Sequence, residues 1–174
     1  MKYGKQWTHA TRDEVELALN QVNTISQIAP GEEQEVLDLV RQVFDSNVAA
    51  SYSSKGNEEF YKYLRLEGFL HRIEFNHQVF VTKDSANQII GVVEIRDSFH
   101  ISLLFVRDEF QRSGIGRALV EQAIEIARAA NAVSMTVNSS PNAVGSYEAF
   151  GFRAVAEEQI VNGIRFIPMA LTLK

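Results

Sequence analysis

Residues 109–123 read EFQRSGIGRALVEQA, placing Gly114 and Gly116 where an amphipathic run begins. The first four N–H groups of a helix lack an internal partner, and the macrodipole leaves partial positive charge there. Glycine at such a start removes the Cβ that would hold a ligand away from those donors. The run Gln111-Arg112-Ser113-Gly114-Ile115-Gly116 thus suits an anion of the phosphate kind, with Arg107, Arg112 and Arg117 flanking it for charge-assisted bonds. The same glycines would also serve a tight turn and close helix packing, and the pattern alone leaves both uses open. Two other phosphate loops do not fit. A P-loop needs Lys and Ser/Thr after its second glycine, where this chain has Arg117-Ala118, and a dinucleotide fingerprint needs a small residue where Leu119 stands.

The elements that would position this turn can be read around it. Gly114–Ala130 is a helix, burying Ile115, Leu119, Val120, Ala123, Ile126 and Ala127 and exposing Arg117, Glu121, Glu125 and Arg128. Before it, His77–Lys83, Gln88–Arg96 and Phe99–Val106 are rich in Val, Ile and Phe and separated by turn residues, as in an antiparallel meander. After it come a buried strand (Val133–Asn138), a short helix (Asn142–Phe150) and two closing strands, Phe152–Glu157 and Ile164–Leu173. Upstream, a first strand near Thr24–Ala29 meets the Pro30-Gly31 turn. Helices are expected over Glu32–Asn47 and Glu58–Glu67, the second stopped by Gly68. Residues 1–23 form an extension whose apolar spacing fits helix and strand equally, leaving 24–174 as one α+β domain. Its mixed sheet has one parallel crossover, between the strand ending at Val106 and that starting at Val133.

The 174-residue length and 45% hydrophobic content suffice for one sizeable core. The chain has no cysteine, which excludes a disulfide framework, a thiolate metal site and a cysteine nucleophile. His9, His71, His77 and His100 are scattered, with no metal-ligand spacing, so no metal is expected. The net charge of −5 argues against nucleic acid as a partner. It would suit a cationic acceptor, though many cytosolic proteins share it. With no signal-like apolar stretch and no run of membrane-spanning length, the expected location is cytoplasmic, without membrane association.

A second motif follows the first at a fixed distance. VNSSPNAVGSYEAFGF, residues 137–152, contains Y-x-x-x-G-F, from Tyr147 to Phe152. Together with VRDEFQRSGIGRAL it resembles the GNAT superfamily of acyl-CoA-dependent N-acetyltransferases, over roughly Ile89–Leu173. The resemblance implies the GNAT fold: a mostly antiparallel sheet of about six to seven strands, about four helices and a splayed central parallel pair. It implies acetyl-CoA as cosubstrate. The pyrophosphate would lie on Gln111, Arg112, Ser113, Gly114, Ile115 and Gly116, beside Arg117. Pantetheine would pair like an added strand with the backbone of Leu104, Phe105 and Val106. Asn138 is either a coenzyme contact or the cap of the turn before Pro141. Ser140 stands where the family often has asparagine.

The resemblance also assigns chemistry. Tyr147 would be the general acid for the departing thiolate; without the motif it reads as a core tyrosine with its hydroxyl at the surface. An alkylamine of pKa near 10.4 is neutral only about once in 2,500 molecules at pH 7, so a base is needed. His100 is the first candidate, since its ordinary pKa suits the task and related enzymes carry a base at that place. Glu94 on the neighbouring strand is the alternative, and Ser102 would hold a relay water. Without cysteine, direct attack by a primary amine in a ternary complex is the expected route, the oxyanion held by main-chain N–H groups near Leu104–Val106. An acyl-CoA sensor without turnover is a second reading. A lysine or N-terminal acetyltransferase is a third, for which an open peptide groove is expected in place of a closed pocket for a small amine. Phe44, Tyr52, Phe60 and Tyr61 are either core or acceptor wall. The resemblance is compatible with a homodimer.

Overall fold

The computed structural model describes residues 24–173; the N-terminal extension lies outside the described residues. Eight strands and five α-helices follow one another in chain order. They are β1 (Ile25–Gln27), α1 (Glu33–Asn47), α2 (Ser54–Tyr63), α3 (Leu66–Phe75), β2 (His77–Lys83), β3 (Ile89–Arg96), β4 (His100–Val106) and α4 (Ile115–Ala129). Then come β5 (Ser134–Ser139), α5 (Val144–Ala149), β6 (Arg153–Ala154), β7 (Gln159–Val161) and β8 (Ile164–Thr172). The sheet order is β1-β2-β3-β4-β5-β8-β6, with β7 on β8. All pairings are antiparallel except β4 with β5.

Period-2 alternation sends each strand's side chains to two separate cores. One holds Val93, Ile95, Ile101 and Val106 against Leu119, Ala123 and Ala127 of α4, and includes Tyr147 and Phe152. The other holds Val79, Val81, Val92 and Leu103 against Val36, Leu39, Val40 and Val43 of α1 and Phe69 of α3. The sheet therefore separates α1, α2 and α3 from α4 and α5.

That separation is interrupted at one place. The β4–β5 ladder is two pairs long, His100↔Thr136 and Ile101↔Val137, and beyond it the strands diverge. On its other side β4 stays paired with β3 to Val106, with one irregularity: Glu94 opposes Leu103 and Ile95 opposes Ile101. Ser102 is the extra residue, a bulge that re-aims its side chain where the parallel pair begins to open.

Three expectations need correction. The second helix does not run Glu58–Glu67 into a stop at Gly68. Ser53 caps a helix from Ser54, accepting from Gly56 N, and the chain breaks at Leu64-Arg65, where Arg65 is extended. Gly68 then lies in the first turn of α3, a helix that sequence reading left unassigned. Phe152–Glu157 contains a strand of only two residues, β6, and β7 was not foreseen. The missed signal was Asn162-Gly163, both at positive φ (52° and 83°), the dipeptide of a type I′ hairpin.

Candidate active site

The divergence of β4 and β5 opens a cleft of about 640 Å³ through the sheet. Its floor is Ser102–Val106 of β4 and Val137–Ser140 around the end of β5. One wall is the start of α4 with α5; the other is α1, Val48 and Tyr52 of the connection that follows it, and Phe60 of α2.

On the first wall, Gly114 is the residue before α4, with φ +91°, and no side chain caps the helix. A Cβ built on Gly114 would meet nothing within 4 Å, so the space above these main-chain donors is open. Arg112, exposed and also left-handed (φ 59°), and Arg117 line the same end. Uncapped N–H groups, open space and two guanidinium groups fit a diphosphate. The expected contacts are not all alike. Gln111 Nε2 donates to the Val106 carbonyl (3.1 Å) and to Asp108 (2.9 Å), tying the turn to the end of β4. Arg117 donates to the Ala149 carbonyl (3.2 Å) and stands over the Phe150 ring, bracing α5. The Ile115 side chain is buried in the core, so only its main chain is available. Ser113 donates to Phe110 O and is not a lining residue, and Arg107 is held by Ile89 O and Gln42.

Tyr147 lies at the junction of wall and floor. Its ring is buried edge-on against Phe150 and Phe152. Burial pushes its phenol well above the ordinary value, so it keeps its proton at neutral pH. Among the described residues nothing hydrogen-bonds its hydroxyl, and the residue lines the cleft. Asn138, with an exposed side chain, lines the cleft as well.

The two candidate bases are placed differently. His100 sits at the closed end of the β4–β5 pair with Nδ1 2.8 Å from Thr136 Oγ1, and does not line the cleft. Burial, then the nearby Arg96, lowers its pKa to about 4. Glu94 is fully buried on the α1–α3 face. Its carboxylate accepts from Arg72 Nε (2.8 Å) and from the Tyr63 hydroxyl (3.2 Å), and lies 2.5 Å from His77 Nδ1. Burial raises its pKa, but the His77 and Arg72 hydrogen bonds outweigh that and leave it lowered. Ser102 lies near enough to Tyr63 to lower the phenol's pKa against the larger effect of burial, and it lines the cleft. A chain of polar groups thus leads from the cleft to a buried carboxylate: Ser102, Tyr63, Glu94. Sequence reading had Glu94 and Ser102 but not Tyr63, Arg72 or His77, which come from different elements and carry no motif.

A cleft at a splayed parallel pair, an uncapped glycine helix start and a phenol beside it agree with a known domain. The GNAT acetyltransferase domain matches residues 48–173. The chain belongs to the GNAT acetyltransferase family. Acetyl-CoA is the cosubstrate that this membership implies, and the α4 end of the cleft has the donors for it. Solved structures agree on the fold. A GCN5-related N-acetyltransferase from Rhodopseudomonas palustris superposes with a TM-score of 0.76 at 18% identity, covering 86% of this chain and 95% of that one. The PaiA N-acetyltransferase of Thermoplasma acidophilum, solved with coenzyme A, gives 0.69 at 17% identity, covering 86% and 98%. An aminoglycoside 6'-N-acetyltransferase, also with coenzyme A, gives 0.66 at 14% identity, covering 86% and 96%. No curated protein matches the sequence. Among the described residues, this GNAT chain has no group of three or more His, Asp or Glu placed to hold a metal ion, and no helix long and apolar enough to cross a membrane.

Proposed function

We propose that the protein transfers the acetyl group of acetyl-CoA to a primary amine by direct attack in a ternary complex. The observation that carries this is the Tyr147 hydroxyl, protonated and unbonded in the cleft beside the uncapped start of α4. Acetyl-CoA supplies an activated thioester. The α4 main-chain N–H groups, with Arg112, hold its diphosphate, and the unpaired edge of β4 from Leu103 to Val106 aligns the chain that follows. A C–N bond forms as the C–S bond breaks. Main-chain N–H groups of β4 face the carbonyl oxygen as charge builds on it, and Tyr147 gives its proton to the leaving sulfur.

The amine must lose a proton, and we assign its removal to Glu94 through Ser102 and Tyr63. Tyr63 donates to Glu94, and Ser102 is its neighbour on the cleft side. The Ser102 oxygen then accepts from the amine, and each proton moves one place toward the carboxylate. Burial, and then the Glu94 charge, raises the Tyr63 pKa, so Tyr63 relays without ionising. His100 does not line the cleft and has no such path to it, so it is the less suited of the two candidates.

Two measurements test the transfer. Calorimetry should show saturable binding of coenzyme A, and acetyl-CoA with an amine panel should release free thiol. Tyr147→Phe should lower kcat ten-fold or more, ~10²–10⁴ being typical for acid catalysis, while coenzyme affinity stays within about two-fold. Unchanged turnover would remove Tyr147 from the chemistry. Binding without thiol release from any amine would favour an acyl-CoA sensor.

A further inference from the structure

We infer that the acceptor is a small primary monoamine with a flat apolar or aromatic body, seated on the α1–α2 side of the sheet. The inference rests on the acetyl-transfer reading and names the amine that reading leaves open. The α4 end is committed to the diphosphate, so the amine must come from the other wall, where Ser102 opens toward Tyr63.

That wall is aromatic. Phe44, with no exposed surface, forms its base; Phe60 stacks on it at 4.0 Å and 20°, and Tyr52 meets its edge at 5.7 Å. Phe105 of β4 faces Phe60 at 6.2 Å. Phe60, Tyr52 and Phe105 are half-buried and line the cleft, so their rings present rigid apolar surface toward the β4 bulge. Rigid rings of this kind recognise flat ligands with little entropic cost.

Among the described residues, no carboxylate lines the cleft, and the nearest ones are hydrogen-bonded outside it. A polyamine or aminosugar entering the cleft must exchange the hydration of each extra ammonium for a carboxylate. Asp45 accepts from the Tyr61 hydroxyl at 2.6 Å. Asp108 accepts from Ser46, Asn47 and Gln111 at 2.9, 2.6 and 2.9 Å. The charged side chains among the described lining residues are the cations Arg112 and Arg117. A second ammonium inside the cleft therefore finds no lining carboxylate and is repelled by the two guanidinium groups.

The wall is also pinned at both ends, which disfavours a peptide. Asn142 Nδ2 donates to Asn47 O (2.9 Å), joining the end of α1 to the β5–α5 connection. At the other end Arg165 donates to Ser51 O (3.2 Å), and Gly56 packs on the β7–β8 turn so closely that a Cβ there would stand 2.1 Å from Gly163 O. An extended peptide needs a groove open at both ends, and segment 47–56 is tied down at each.

The test is thiol release from acetyl-CoA by the full chain. 2-Phenylethylamine and tryptamine are compared with spermidine, kanamycin and an N-terminally blocked lysine peptide. The aromatic monoamines should exceed the others at least ten-fold in kcat/KM. Phe60→Leu and Phe60→Ala should raise the KM for 2-phenylethylamine, the Ala change by about ten-fold, with coenzyme A affinity unaltered by calorimetry; the Leu variant keeps the test alive should the Ala variant fail to fold. Preference for spermidine, kanamycin or the peptide overturns the inference, as does an unmoved KM in a variant that binds coenzyme A normally. Coenzyme binding without turnover of either aromatic amine overturns the acceptor class alone, whereas absence of coenzyme binding removes the acetyl-transfer reading with it.

Discussion

On the proposed function, the single side chain of Tyr63 links a buried charge to the reaction. Its ring lies under the Arg72 guanidinium at 3.6 Å, its hydroxyl reaches Glu94, and it meets Ser102 at the cleft. Tyr63→Phe keeps the ring and the cation–π contact but interrupts the proton path. For an acceptor of high pKa, kcat/KM should fall about ten-fold or more, with the loss greatest at low pH, where the amine most needs a base. For hydroxylamine, already neutral at pH 7, the loss should shrink to about two-fold. Equal losses for both nucleophiles would make Tyr63 a packing residue. Ordinary sequence patterns do not reveal this residue. Tyr63, Arg72, His77 and Glu94 sit on α2, α3, β2 and β3, with Tyr63 and Glu94 31 positions apart, and only the folded sheet brings them to one point. Tyr147 was legible because its motif is local: a short helix and the turn at Gly151 fix it within six residues.

At the scale of elements, what the sequence conveyed depended on periodicity. The meander β2–β3–β4 and helix α4 have clean alternation or a clean stripe, and both lie within a residue or two of the expected bounds. Helix α3 was missed because its polar and apolar residues are interspersed, with Phe75 and Leu70 exposed and Phe69 alone fully buried. Hairpin β7–β8 was missed because β7 is exposed throughout and has no core face to pattern. Yet it is this hairpin that closes the acceptor wall, through the contact of Gly163 with Gly56. Gly56→Ala places a methyl against main-chain atoms that cannot move without displacing the turn. The expected cost is about 1–3 kcal/mol, and Tm should drop by several degrees. Acceptor KM should rise while coenzyme affinity is retained, because α4 is on the opposite face. A parallel loss of coenzyme binding would mean that the contact supports the whole fold and not one wall.

For the whole molecule, acid should be destabilising in two steps. His100 has a folded pKa of about 4 against 6.5 for the free side chain, chiefly from burial. The unfolded chain therefore binds the extra proton first, and stability present above pH 6.5 declines as pH falls toward 4. Glu94, with its pKa lowered from 4.5, adds a second decline as pH falls through its folded value. The urea midpoint should thus decrease from pH 7 to 4 and continue to fall below that. His100→Gln should flatten the upper limb and leave the lower one. A midpoint independent of pH between 7 and 4 in the parent protein would show that His100 titrates normally when folded.

The passage cut through the sheet by the two-pair β4–β5 ladder has an evolutionary consequence. On the proposed function, donor-side groups stand on α4 and α5 and acceptor-side groups on α1 and α2, and the stretch Ser102–Val106 is the floor shared by both. The two sides touch mainly at the end of α1, through Asn47 with Asn142 and Asp108. On that reading, a lineage carrying this scaffold exchanges one amine for another chiefly by altering α1 and α2, inheriting its acyl-loading machinery.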